Sequence, residues 1–194
     1  MSLLEELSVE NVATDKYKNK IITIPNILSL LRICLIPVIV WLFIGKQDYL
    51  MAGIFVLISG LTDIVDGFIA RTFHMISDVG KVLDPVADKA TQFAVLILIA
   101  TKHPLILIPI GFLAVKEIFM LITGYLVIKK CDVVLGAEWY GKAATVVLSA
   151  AMALHLFWLG ITPVVSIICI VLSSAFIILA LVLYAIRNFK YILK

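Results

Sequence analysis

Apolar residues fill this chain in long unbroken runs, without the alternation of a half-buried strand or the narrow stripe of a soluble helix. Six runs are each long enough to cross a bilayer as a helix, at about 20 residues apiece: residues 24–44, 49–70, 81–100, 105–128, 140–159 and 163–186. Short polar breaks at 45–48, 71–79, 101–104, 129–138 and 160–163 separate them. Strands of a membrane β-barrel would alternate lipid-facing and lumen-facing residues, and these runs do not. The pattern therefore predicts an all-α integral membrane protein with six transmembrane helices in one bundle. It contains no internal repeat and no low-complexity tract, so residues 24–194 read as one membrane domain. Residues 1–23 read as a cytoplasmic or interfacial N-terminal segment. Its stretch 3–17 mixes Leu and Val with acids, which suits a helix lying on the membrane surface and equally a polar tail. Residues 1–20 are polar and acidic before they turn basic, unlike a cleaved signal peptide.

Composition agrees with the pattern. The 194 residues are 63% hydrophobic and 15% charged, against about 45–50% apolar in soluble domains. Net charge is only +3, but the distribution of the cations is informative. With both termini cytoplasmic, that side holds Lys16, Lys18, Lys20, Arg71, Lys81, Lys129, Lys130, Lys142, Arg187, Lys190 and Lys194, and the other holds Lys46 and Lys102. The bias toward positive inner loops thus predicts cytoplasmic N- and C-termini in a multi-pass protein of the cell (inner or plasma) membrane. Cys34, Cys131 and Cys169 are isolated and odd in number, which argues against a disulfide framework and a CxxC-type zinc site.

The chemistry is concentrated between residues 63 and 88. Asp63 and Asp66 lie three apart near the end of the second run, and Asp84 and Asp88 four apart at the start of the third. Each pair shares one face of a helix. The short connection makes the two helices antiparallel neighbours, so four carboxylates can converge near the cytoplasmic interface. A carboxylate at membrane depth costs at least a few kcal/mol, and the cations nearby in sequence are only Arg71, Lys81 and Lys89. The missing positive charge points to a divalent ion, and hard oxygen ligands suit Mg²⁺ or Mn²⁺. Gly67, directly after Asp66, leaves room for a ligand or a helix to approach. His74 and Asp78, in the connection, read as solvated.

The spacing Asp63-x2-Asp66-Gly67-x2-Ala70-Arg71-x8-Gly80-x3-Asp84-x3-Asp88 matches, at every fixed position, the signature of the CDP-alcohol phosphotransferases, a family the chain therefore resembles. Residues 25–32, 80–89 and 139–142 further resemble its phosphatidylglycerophosphate synthase branch. The resemblance implies a six-helix fold, usually homodimeric, acting at the cytoplasmic face without nucleic acid. Asp63, Asp66 and Asp84 would bind two divalent ions, and Asp88 would ligate one of them while serving as general base. Gly67, Arg71 and Ser77 would contact the CDP moiety of CDP-diacylglycerol, with residues 26–29, Asn26 and Ser29 among them, forming another wall. Gly80 would permit tight packing where the third helix begins.

The acceptor alcohol is less sharply marked. Glycerol 3-phosphate needs a cation for its phosphate, and Lys81, Lys116, Lys142 and Arg187 are the candidates. Lys116-Glu117 also reads as a structural ion pair, Lys142 as a lysine snorkelling to the interface, and Arg187 as a topology residue. That branch usually carries Arg-Glu in place of Lys116-Glu117, and Gly-Lys-x-Lys-Thr where this chain has Gly141-Lys142-Ala143-Ala144-Thr145. Phosphatidylglycerol, the acceptor in cardiolipin synthesis, is the next choice, followed by inositol phosphate and serine. A divalent-cation transporter would spread its acids across the membrane depth, whereas these cluster at one end. His103 and His155 read as packing or interface residues, Trp41, Trp139 and Trp158 as an aromatic belt, and Pro37 as a kink in the first helix.

Overall fold

The structure, a computed structural model, describes residues 23–73, 77, 79–131, 135–136, 138–158 and 160–193. The expected interfacial segment therefore lies outside the described residues, as do His74 and Asp78. Described residues form helices α1 (Ile24–Val40), α2 (Tyr49–Thr72), α3 (Gly80–Ala100), α4 (Leu107–Cys131), α5 (Trp139–Phe157) and α6 (Pro163–Ile192), with no strand among them.

Local chemistry sets the ends. The Thr23 hydroxyl accepts the Asn26 N–H at 3.4 Å with Pro25 in the first turn, and the Asp48 carboxylate accepts the Met51 N–H at 3.0 Å. These are the caps expected where the first N–H groups lack intrahelical partners. Pro37 lies inside α1 and a π-helical turn, Trp41–Gly45, continues it. Proline removes the i→i−4 bond to the turn before it, and the wider turn lies beyond it, at the end of the helix. Gln47 takes a left-handed backbone (φ 53°) in the tight link to α2.

Five helices are long and apolar enough to cross a membrane: Ile24–Gly45, Tyr49–Ala70, Pro104–Cys131, Trp139–Phe157 and Pro163–Ile192. The expected third span, α3, has the length, at 21 residues, but Lys81, Asp84, Asp88 and Lys89 crowd its first half and make it too polar to count with the others. The burial pattern is inverted relative to a soluble protein. On α1 the buried side includes Asn26, Ser29 and Arg32, while Ile24, Ile27, Leu30 and Leu31 are exposed. On α6, Ser166, Ser173, Ser174 and Asn188 are buried while Ile167, Ile168, Val171 and Leu172 are exposed. So much contiguous exposed apolar surface requires a non-aqueous partner, and the protein is a multi-pass membrane protein.

The chain forms two compact units, residues 1–95 and 96–194. In the first, α1 packs along α2. In the second, α6 packs against both α4 and α5. Its core includes Ala144, Ala180 and Tyr184, with Met120, Tyr140 and Phe176 packed around them. A methyl group at Gly141 would collide with the Tyr184 ring and hydroxyl, so glycine is needed there.

Candidate active site

The site in the first unit is built by one polar face of α1. Asn26, Ser29 and Arg32 recur every three residues, so they share that face, and each meets the acidic hairpin at a different level. Nδ2 of Asn26 donates to Oγ of Ser77 at 2.9 Å, and Oγ of Ser77 in turn lies 3.1 Å from Oδ1 of Asn26. Ser77 also accepts the Gly80 N–H at 2.9 Å and so fixes the start of α3. A Cβ on Gly80 would lie 2.6 Å from Oδ1 of Asn26 and 3.1 Å from Oγ of Ser77. Glycine is the residue that lets α1 and α3 approach this closely, as the sequence led us to expect.

One turn along, the Ser29 hydroxyl donates to Oδ1 of Asp84. Next comes Arg32, whose Nη1 lies 2.6 Å from Oδ1 of Asp63 and whose Nη2 donates to Oδ2 of Asp66 at 2.6 Å. Arg32 and Asp66 are 2% and 3% exposed, whereas the Asp63 side chain is 46% exposed. The guanidinium fork suits such two-carboxylate contact, and charge-assisted bonds of this kind are the strong ones.

To the cations nearby in sequence the fold adds Arg32, distant in sequence, which provides part of the positive charge that the acids need. The signal was present as an arginine eight residues into an apolar helix, which needs an acidic or cavity-facing environment. Among the described residues no three His, Cys, Asp or Glu side chains group closely enough to hold an ion as they stand. The donors still fit a hard divalent ion. Among the described side chains, Asp63 and Asp66 share the one guanidinium of Arg32, and Asp84 meets a hydroxyl. Carboxylate oxygens are the donors that Mg²⁺ or Mn²⁺ prefers.

The other expected residues are distributed as follows. Asp88 is half-buried on α3, one turn beyond Asp84, and is engaged in an interaction of its own. Gly67 is half-buried beside Asp66. Arg71 and Lys81 belong to α2 and α3, with side chains outside the described residues. Three acceptor candidates lie in the second unit. Nζ of Lys116, a buried residue, pairs with Oε1 of the adjacent Glu117 at 2.8 Å. Lys142 is exposed on the first turn of α5. Arg187 pairs with Oε1 of Glu138 at 3.1 Å, donates to the Gly136 carbonyl at 2.9 Å, and stands over the Tyr184 ring. For Lys116 and Arg187 these contacts are those of structural ion pairs.

Residues 22–186 match the family model described as CDP-alcohol phosphatidyltransferase. The chain is 30% identical over 177 residues to a CDP-diacylglycerol–glycerol-3-phosphate 3-phosphatidyltransferase of Aquifex aeolicus, covering 88% of this chain and 98% of the relative. It is 40% identical over 111 residues to a CMP-forming cardiolipin synthase of Rattus norvegicus, covering 57% of this chain but 36% of that protein. A Rickettsia bellii protein with the same name as the Aquifex one is 32% identical over 96 residues, 48% of this chain and 53% of its own length. A family match that runs through α1, the acidic hairpin and most of α6, on a membrane-spanning helical fold, places this chain in the CDP-alcohol phosphatidyltransferase family, the membrane transferases of phospholipid synthesis.

Proposed function

We propose that the protein transfers a phosphatidyl group from CDP-diacylglycerol to glycerol 3-phosphate, releasing CMP and phosphatidylglycerophosphate. The observation that carries this choice of acceptor is the near full-length correspondence with the Aquifex protein. Higher identity to cardiolipin synthases, 40% and 42%, over about half of the chain favours phosphatidylglycerol as the second reading.

In this reading Asp63, Asp66, Asp84 and Asp88 hold two divalent ions, Mg²⁺ or Mn²⁺. Such ions would neutralise the diphosphate and polarise the phosphorus under attack. The chain's own residues do the rest. Asn26, Ser29, Gly67, Arg71 and Ser77 position the CDP moiety, the hydrogen bonds from Asn26 to Ser77 and from Ser29 to Asp84 fixing that wall in advance. Phosphoryl transfer depends mainly on such positioning and on charge stabilisation. Asp88 takes the proton from the acceptor hydroxyl. The new bond joins that oxygen to the phosphorus bearing diacylglycerol, and the bond to the CMP oxygen breaks. Lys81, Lys116, Lys142 and Arg187 are the candidates for the acceptor phosphate. Lys142 comes first, because Lys116 and Arg187 already have acidic partners. The enzyme works as a homodimer with its site at the cytoplasmic face of the cell membrane.

The test is CMP release by purified enzyme with CDP-diacylglycerol and Mg²⁺ or Mn²⁺, offering glycerol 3-phosphate, phosphatidylglycerol, inositol phosphate and serine separately. Release with glycerol 3-phosphate alone is the expected result. Release with phosphatidylglycerol alone would make the protein a cardiolipin synthase.

A further inference from the structure

Arg32 is the most deeply buried charge of the first unit whose side chain is described, and it lies outside the acidic signature. Its two terminal nitrogens each meet a carboxylate at 2.6 Å, one from Asp63 and one from Asp66. Its Nε is also buried, with no hydrogen-bond partner among the described residues. Nη1, although 2.6 Å from Asp63, likewise makes no hydrogen bond of good geometry, so Nη2 is the terminal nitrogen hydrogen-bonded to a described residue. A buried N–H normally finds an acceptor, and this guanidinium is held by charge more than by hydrogen bonds. It stands between two carboxylates that carry a motif spacing suited to divalent ions. Two cations of this kind compete for the same oxygens, and neither can take them without weakening the other's hold.

We propose that Arg32 is a built-in counter-cation: it holds Asp63 and Asp66 together while no divalent ion is present, and an ion binding to those carboxylates must displace its guanidinium. The proposal rests on the metal reading above. Displacement leaves an arginine in the same pocket with free donors, Nε included, and a nucleoside diphosphate brings the anionic oxygens that would satisfy them. Arg32 is thus a positioning residue with two states. It keeps a pair of acids from repelling each other in the resting protein, and it makes ion binding and donor binding mutually favourable. Coupling of this kind is reciprocal by linkage.

A merely structural arginine and a competing one predict opposite signs. If Arg32 only supports the fold, removing it loosens the site and weakens ion binding. If it competes, removing it strengthens ion binding even as the ion-free protein becomes less stable. The test measures Mn²⁺ binding in detergent from the free-ion paramagnetic resonance signal, with thermal unfolding in EDTA and in Mn²⁺, for the wild type, Arg32→Gln and Arg32→Lys. We expect Arg32→Gln to bind Mn²⁺ on the order of tenfold more tightly, and to unfold earlier in EDTA with most of the loss restored by Mn²⁺. Arg32→Lys, which keeps the charge but not the fork, should fall between, and it decides the matter if the Gln variant does not fold. Affinity unchanged or weakened in folded variants, with the wild type still binding Mn²⁺, would overturn the proposal alone. Absence of saturable binding in wild type and variants alike would overturn the metal reading and the proposal together.

Discussion

The two units of this protein distribute their buried polar groups differently. In residues 1–95 the buried polar face of α1 meets charge: Arg32 between Asp63 and Asp66, Ser29 on Asp84. In residues 96–194 many of the buried polar contacts are neutral and pairwise. Asn188 donates to the Thr123 hydroxyl at 2.7 Å, Nε2 of His155 lies 2.9 Å from the Ser166 hydroxyl, and the Tyr184 hydroxyl accepts the Glu138 N–H at 3.1 Å. Neutral pairs of that kind hold membrane helices together for modest gain, on the order of 0.6 kcal/mol each. Buried ions are expensive to keep and add little net stability. The first unit gathers its buried polar groups and acids at one site, whereas the second sets its pairs, the Lys116–Glu117 ion pair among them, singly along its helices.

The comparison can be broken most severely at Asp66. Asp66→Asn leaves Arg32 without its buried partner, and losing one member of such a pair typically costs about 3–5 kcal/mol. CMP release should vanish and the unfolding midpoint should fall, whereas Thr123→Val in the second unit should leave turnover close to wild type. Equal loss from both would erase the distinction. Next in size is Asp88→Asn, for which turnover should drop by about 10²–10⁴-fold, the usual worth of a positioned base. Binding of CDP-diacylglycerol, read by equilibrium dialysis, should survive. Loss of both together would make Asp88 a structural ligand rather than the base.

The glycines sharpen the contrast. Gly80→Ala pushes a methyl group into Asn26 and Ser77, an overpacking that costs about 1–3 kcal/mol, and it should lower activity along with stability. At Gly124 a methyl group would meet nothing within 4 Å, so Gly124→Ala should be tolerated without loss, or gain up to about 1 kcal/mol of helix stability. Unchanged activity in Gly80→Ala would detach that contact from the site.

Much of this was legible in the sequence, for a specific reason. A bilayer forces every backbone group to be satisfied within its own segment, so span positions follow from run length and came out within a few residues for α1, α2, α5 and the start of α6. The acidic hairpin was legible because charge at membrane depth is costly and its spacing is helical. The pairing of Arg32 was not legible, because its partners lie 31 and 34 positions away, a separation that helical periodicity cannot reveal. For the same reason the Ser29–Asp84 bond and the clash behind Gly80 are tertiary facts. Run length and polarity part company at α3, which has the length of a span while its charged first half keeps it out of the apolar set of five. Lys116 and Arg187 show the converse limit. A cation in a membrane helix announces that it needs a partner, and only the fold shows that Glu117 and Glu138 are there to meet it.

The smallest expected effect belongs to the second unit. Burial, and next the neighbouring His155, hold the His103 imidazole below its ordinary pKa of 6.5. The fold thus binds fewer protons there than the unfolded chain does. Stability contributed by the neutral ring is complete above about pH 6.5 and declines as pH falls below it, where the unfolded histidine protonates first. His103→Asn should flatten the dependence of the unfolding midpoint between about pH 7 and 5 without changing its value near pH 8. A pH dependence identical to that of the wild type would remove His103 as its source.

The transferase chemistry, on this account, belongs to the acids and the α1 polar face of the first unit, and it requires a divalent ion. CMP release from CDP-diacylglycerol with glycerol 3-phosphate, titrated with Mn²⁺ after EDTA treatment, tests both points most directly in the wild type and in Asp84→Asn. No release without the ion is expected, with saturable recovery in the wild type and none in the variant. Release that persists in EDTA, or that Asp84→Asn retains, would contradict it.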